Sequence, residues 1–398
     1  MIPAMPTSMS FAPVARNSMD QLPFADRPSV QTYSGRVAIY QGLKHLGLGS
    51  GDIILVPAYA CGSEIDAVLK SGCQVRFYPL NTDLSPNLDR CKELLSAEPE
   101  IKAFFLIHYF GFPQPLEAIT ELTRAHNLIL FEDCAHAFLS DDPSGQALGT
   151  TGEVAIFSYM KTLPLTDGGA LVINSGATPQ GDLQKPNVKK LIGRFLFQVE
   201  RSLEKSSPRI ATLFQMCVRK PLQKLKGGRG KAAGSGEATQ VQHEAPAAEE
   251  TESDILSLDL RRANWSMSGL AQFTAKRLDL PAIKAARRHN YARLLCAIQN
   301  VDGLRPLFPT LPQGTCPLFF PIEVNDAANA QKGLGKAGLS TKLFWSFFHE
   351  TFPREEFPFE TALKTSVIAL PIHQDLNDTQ IDEMAKILQT QFSTEAAA

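Results

Sequence analysis

Between residues 52 and 173 the chain repeats one pattern, a run of four or five mostly apolar residues followed by a longer stretch. The runs at 52–56, 74–78, 103–107, 128–131, 154–158 and 170–173 are too short for helices, and most are too apolar to leave a face in water. They predict strands buried on both sides. The segments 36–46, 62–71 and 116–126 carry helical spacing, with Ser34 placed to cap the first. A sheet that is apolar on both faces must be covered by helices on both, so the expected class is α/β with a large, mostly parallel sheet.

A chain of 398 residues has room for two moderate cores. The second is expected after a long helix over 268–298, whose Arg287, Arg288 and Arg293 are expected in solvent. The apolar run 318–324 and helical patterns at 329–337 and 379–389 predict a smaller C-terminal α+β domain. The expected division is an N-terminal extension at 1–30, the sheet domain at 31–180, a basic helical insertion at 181–226, a disordered linker at 227–253 and the helix with the small domain at 254–398. A net charge of -2 gives no global pull toward nucleic acid, and none is expected as a partner. Seven scattered cysteines without a C-x-x-C pair suit a reducing cytoplasm and suggest no zinc site, and the eight histidines show no ligand spacing, so no metal is expected.

The insertion differs in kind from its surroundings. From Gly181 to Lys231 there are thirteen Lys or Arg against three acids, and Leu191, Phe195, Val199 and Leu203, widened by Ile192 and Leu196, trace one helical face. This pattern serves either a helix packed on the domain or a helix lying on anionic lipid, so peripheral contact at the inner membrane face through 185–226 is a further expectation.

In open α/β sheets, ligands sit beyond the carboxyl ends of the strands. Those ends carry Pro57-Ala58-Tyr59, His108 to Gly111, Glu132-Asp133 and Ser158 to Lys161. A lysine there, with an acid able to hold a pyridinium nitrogen, is how an enzyme anchors pyridoxal phosphate (PLP). Asp133 ends a run too apolar to solvate a charge well, so it calls for a cationic or donor partner, or else caps the next helix. Ser34, Gly35 and Arg36 place a small residue and a glycine at a helix start, where free N–H groups donate to a phosphate. Ser158 could add a hydroxyl, His136 a donor to the ring oxygen, and Tyr59 a face to stack on. No G-x-G-x-x-G follows any strand, which disfavours a nicotinamide enzyme.

These segments, in this order, resemble the DegT-type nucleotide-sugar aminotransferases, PLP enzymes of fold type I, over most of the chain. Ser34-Gly35-Arg36-Val37-Ala38 looks like the family's S-G-T-A-A, and His108-Tyr109-Phe110-Gly111 looks like H-L-Y-G. Glu132 to Ala137 resembles E-D-A-A-Q-A, Asp167-Gly168-Gly169-Ala170 resembles part of G-D-G-G-A, Asn264 to Ser268 resembles N-Y-R-M-S and Leu370 to His373 resembles L-P-L-H. The resemblance implies a homodimer with PLP at the subunit interface, Lys161 as the Schiff-base lysine and proton carrier, and Asp133 as the pyridinium partner. It also implies that Asn264 reaches the neighbouring subunit's phosphate. The activity implied is transfer of an amino group from an amino acid, with glutamate expected, to a nucleotide-linked keto-sugar for a surface polysaccharide, lipopolysaccharide or glycosylated metabolite.

The chain departs from the family pattern at four places. Arg36 replaces a threonine, Ser266 an arginine, and Cys61 stands where many members carry the stacking aromatic. The stretch from Ser158 to Lys161 is about two residues shorter than usual. These departures keep two alternatives open, another PLP-dependent activity such as dehydration or elimination, and a catalytically reduced binding or regulatory relative.

Overall fold

The computed structural model describes residues 1–6, 18–176, 183–206, 208–219 and 257–395, so the linker expected at 227–253 lies outside the described residues. The first sheet is built from β1 (Ser29–Thr32), α1 (Gly35–His45), β2 (Ile53–Pro57), α2 (Ser63–Lys70), β3 (Gln74–Tyr78), α3 (Leu88–Ala97), β4 (Ile101–Ile107), α4 (Leu116–Ala125), β5 (Ile129–Asp133), β6 (Val154–Ser158), α5 (Tyr159–Thr162) and β7 (Gly169–Ile173). Its order is β1-β7-β6-β5-β4-β2-β3. Strands β2 to β6 pair in parallel, and every residue of β2, β6 and β7 is buried, as a sheet covered on both faces requires. Strand β7 runs antiparallel to β6 because the connection between Ser158 and Gly169 is too short for a crossover, which needs about a dozen residues or more. Strand β1, which the apolar pattern does not announce, closes the edge antiparallel to β7.

Next come α6 (Val188–Ser206) and α7 (Pro208–Phe214), which pack against each other. On the predicted apolar face Leu191 is buried and Phe195, Val199 and Leu203 are half-buried, but Ile192 is exposed. The single helix expected over 268–298 is two helices, α8 (Gly269–Ala275) and α9 (Leu280–Ala297). Asp279 ends the first path and caps the second, its carboxylate accepting from the Ala282 N–H at 2.9 Å, and Pro281 sits in the first turn, where its missing N–H costs nothing. The smaller domain follows with β8 (Arg305–Pro306), β9 (Phe320–Glu323), α10 (Ala327–Lys336), β10 (Lys342–Leu343), α11 (Pro358–Ser366), β11 (Val367–Leu370) and α12 (Asp378–Glu395). Its four strands form an antiparallel sheet in the order β10-β11-β9-β8. The chain start docks here too, with Ile2 N–H donating to Gly338 O and Ser340 N–H to Ile2 O.

Arg287 overturns the expectation of a solvated face on α9, being only 1% exposed. Its guanidinium donates to Gln374 Oε1 at 2.9 Å, to Leu318 O at 2.9 Å, to Pro317 O at 3.3 Å and to Thr162 O at 3.0 Å. Burial pulls it down to about 10, against the opposing pull of Cys316 and Asp375, so it stays charged at neutral pH. Arg288 and Arg293 are half-buried as well, the former donating to Pro312 O and Thr315 O, the latter paired with Asp382. Arg287 thus ties α9 to the turn that carries residue 161. Arg287→Met is expected to cost about 3–5 kcal/mol in denaturant unfolding, because several buried carbonyls lose their donor together. A loss below about 1 kcal/mol would mean that the seam repacks without it.

Candidate active site

Strands β2, β4, β5 and β6 run parallel, so their carboxyl ends open on one side, as expected. Glu132 and Asp133 end β5, and because side chains alternate along a strand they face opposite ways. Glu132 accepts from the Gly149, Thr151 and Gly152 N–H groups and from His108 Nε2. Burial alone would raise its carboxyl, but these bonds outweigh it and hold Glu132 below the usual carboxylate range. His108, Glu132 and Cys134 bring their polar atoms within 4.8 Å of one another, yet both Glu132 oxygens are already engaged, which makes the cluster scaffold.

Asp133 faces the crevice instead. One oxygen accepts from the Ala135 N–H at 2.8 Å, a local turn rather than a helix cap, since no helix follows. Burial, with Glu64 adding to it, pushes this carboxyl up to about 7 against the pull of Lys161 and of the Ala135 N–H. Lys161 lies half-buried in the single turn α5, directly after β6, and its charge is felt at Asp133, His136 and Cys61.

His136 is 2% exposed. Its Nδ1 accepts a long bond of 3.4 Å from the Phe110 N–H, while its Nε2 has no partner among the described residues. Burial first, and Lys161 second, hold the ring well below its ordinary value, so it is neutral. With Nδ1 accepting, the assigned tautomer puts the proton on Nε2. A buried N–H donor without an acceptor is costly and marks a place where a ligand oxygen fits.

At the start of α1, Ser34 occupies the cap position but its side chain makes no capping bond. Gly35 lies against β6, and a Cβ on it would stand 3.2 Å from Ser158 Cβ and 3.7 Å from Ser158 Oγ. A Cβ on Gly169 would come within 2.7 Å of Ser34 C and 2.9 Å of Gly35 N, so only glycine lets β7 approach the α1 terminus this closely. Asp167, beside it, is fully buried and accepts from the Ser268 N–H and hydroxyl, fastening this loop to the start of α8. The helix N-terminus and the Ser158 hydroxyl therefore converge on one small space.

Other expected residues are directed elsewhere. One guanidinium N–H of Arg36 donates to Ser257 O at 2.7 Å. Asn264 is exposed and accepts from Gln41 Nε2 at 2.8 Å. Tyr59 is fully buried, its hydroxyl donating to Phe344 O and its ring packed near Tyr109 and Trp345. The Cys61 thiol donates to Glu64 at 2.9 Å, and burial, then Glu64, pushes it up to about 12. Trp345, absent from every motif, reaches in from the small domain. Its half-buried ring centres 5.1 Å from Tyr59 and 5.3 Å from His136, and Lys364 pins the segment that carries it by donating to Phe347 O and Ala60 O.

These residues fit pyridoxal phosphate: a buried carboxylate for a pyridinium, an orphaned donor for a ring oxygen, an amine beside both, and a helix start open to an anion. Residues 25–181 match the model of the DegT/DnrJ/EryC1/StrS aminotransferase family. Over 161 residues the chain is 32% identical to the GDP-perosamine synthase of Escherichia coli O157:H7, covering 38% of this chain and 43% of that protein. Over 139 residues it is 34% identical to the dTDP-4-dehydro-2,3,6-trideoxy-D-glucose 4-aminotransferase of Saccharopolyspora spinosa, covering 34% and 35%. The match thus spans less than half the length of either relative. A Streptococcus pneumoniae structure named as a sugar aminotransferase, in PLP form, superposes with a TM-score of 0.67 at 16% identity over 99% of both chains. At that identity the likeness speaks for the fold, which is the one expected.

Proposed function

We propose that this chain, whose residues 25–181 match the model of the DegT/DnrJ/EryC1/StrS aminotransferase family, is a PLP-dependent aminotransferase acting on a nucleotide-linked keto-sugar. The amino donor in this reading is an amino acid, glutamate first. The observation that carries it is the buried Asp133 carboxyl sharing the crevice with Lys161 and the unpartnered His136 Nε2. When bound, the cofactor supplies an electron sink for the bond-making and bond-breaking at the substrate carbon.

The chain supplies the rest. Asp133 would balance the charge of the ring nitrogen, and His136 Nε2 would donate to the ring oxygen. The N–H groups of Ser34, Gly35 and Arg36, with the Ser158 hydroxyl, would hold its phosphate. Lys161 Nζ would tether the cofactor, and the same amine would serve as general base and acid for the proton at the substrate carbon. Trp345, rather than the enclosed Tyr59 or the non-aromatic Cys61, offers an aromatic face toward the ring, with Tyr59 packed against it. A homodimer suits this reading, because Asn264 stands on the exposed surface, where a second copy's site could meet it. No helix among the described residues is long and apolar enough to cross a membrane, and the seven free cysteines suit a reducing compartment such as the cytoplasm.

The test loads the full chain with PLP and adds L-glutamate while the visible spectrum is followed. A band that appears on loading and is bleached by glutamate, then restored by 2-oxoglutarate, supports transamination. A loaded band that no amino acid bleaches rejects it in favour of another PLP activity or of binding alone.

A further inference from the structure

Among the described residues seven large apolar side chains stand exposed, and four of them lie in the insertion: Ile192 at 41%, Ile210 at 52%, Leu213 at 60% and Met216 at 59%. The last three recur at every third position along α7 and the helical turn Gln215–Arg219 that continues it, so they share one face. The opposite side of this hairpin is packed, with Leu191 and Ala211 at 2% exposure and Glu200 buried, accepting from Gln215 at 2.6 Å. The outer face is therefore an apolar stripe on a formed element, with nothing among the described residues covering it, and no part of the candidate site.

The charge of the insertion selects its occupant. Of the three acids between Gly181 and Lys231, Glu200 is buried and Glu204 is paired with Arg201, while Arg209 stands exposed beside Ile210. The sequence from Arg219 to Lys231 adds six Lys or Arg and no acid. A second copy docking by the same face would bring these like charges together across a two-fold axis. Nucleic acid would satisfy the cations but leave the apolar side chains in water. An anionic bilayer satisfies both, the apolar row entering the headgroup layer while the cations meet the lipid charge. We infer that the outer face of α7 is a docking surface for an anionic lipid bilayer, on which Ile210, Leu213 and Met216 insert.

The surface provides its own reporter, because Cys217 and Cys296 are the exposed cysteines and the other five are buried. The full chain, with Cys296→Ser and an environment-sensitive fluorophore on Cys217, is mixed with phosphatidylcholine vesicles with or without phosphatidylglycerol. Binding only to the phosphatidylglycerol vesicles, with a blue shift at Cys217 and weakening in high salt, is expected. Leu213→Glu/Met216→Glu is expected to lower that binding at least about tenfold with an unchanged thermal midpoint, since both side chains are exposed. The inference is overturned if the wild type ignores anionic vesicles, if it binds with Cys217 unshifted, or if the double variant binds equally well. It is also overturned if the wild type prefers an oligonucleotide to the vesicles, or if the substitutions change only the oligomeric mass. None of these outcomes depends on the cofactor, so failure here is separable from failure of the aminotransferase reading.

Discussion

Lys161→Ala is expected to abolish the visible band that develops when the wild type takes up PLP and to lower transamination by at least about 1,000-fold. General acid–base transfer alone contributes about 100- to 10,000-fold, and the same side chain also tethers the cofactor. The fold is expected to survive, because Lys161 is half-buried and makes no ion pair among the described residues. Its loss relieves His136 and Lys342, both of which feel its positive charge, and removes one of the influences that hold Asp133 ionised. Two other lysines lie in the same region. Lys364 is not free to compete: burial pulls its ammonium down to about 8, but its Nζ is spent on Ala60 O and Phe347 O, with the rings of Tyr59, Phe348 and Phe352 within 5.5–5.9 Å. Lys342 lies on β10 of the small domain, over the Phe319 ring. A band that persists in Lys161→Ala and disappears only when Lys342 is also replaced would move the tether to β10 and reject the assignment.

What was legible in the chain was legible because it is local. A strand buried on both faces needs only its own residues to be apolar, so β4, β6 and β7 stand out as runs, and the turn from β6 to Lys161 is a matter of four residues. Ser29–Thr32 carries one large apolar residue, and it becomes a strand only because β7 presents an open edge. Period two says that Glu132 and Asp133 part company, but which of them faces the crevice depends on loop 149–152, whose N–H groups claim Glu132. Arg287 was illegible for the same reason. Its acceptors lie 30 to 125 residues away, and on helical spacing alone it looks like any solvated arginine. Trp345 lies some 280 residues from Tyr59, and no pattern in either segment connects them.

Asp133→Asn separates a cofactor role from a structural one, because the two predict opposite signs in the cofactor-free protein. Burial raises the folded-state value to about 7, against about 3.9 for an unfolded aspartate. Between those values the folded chain holds a proton that the unfolded chain releases, so wild-type stability falls as pH rises from about 4 to about 7. Three pH units at about 1.4 kcal/mol each set a ceiling of about 4 kcal/mol on that loss. Asparagine keeps an oxygen for the Ala135 N–H and carries no charge, so the variant is expected to lose this contribution to the fall across the window. At pH 8 it should be more stable than wild type by about 2 kcal/mol or more in denaturant unfolding of the cofactor-free chain. PLP affinity is expected to move the other way, falling about 100-fold, since the carboxylate that the empty fold strains to keep ionised is the one a pyridinium would neutralise. A site built to bind a cation pays for it in the unloaded protein, and a scaffold residue does not. If Asp133→Asn instead weakens the cofactor-free protein at pH 8 and leaves PLP binding intact, Asp133 serves the turn at Ala135 and the pyridinium partner must be sought elsewhere.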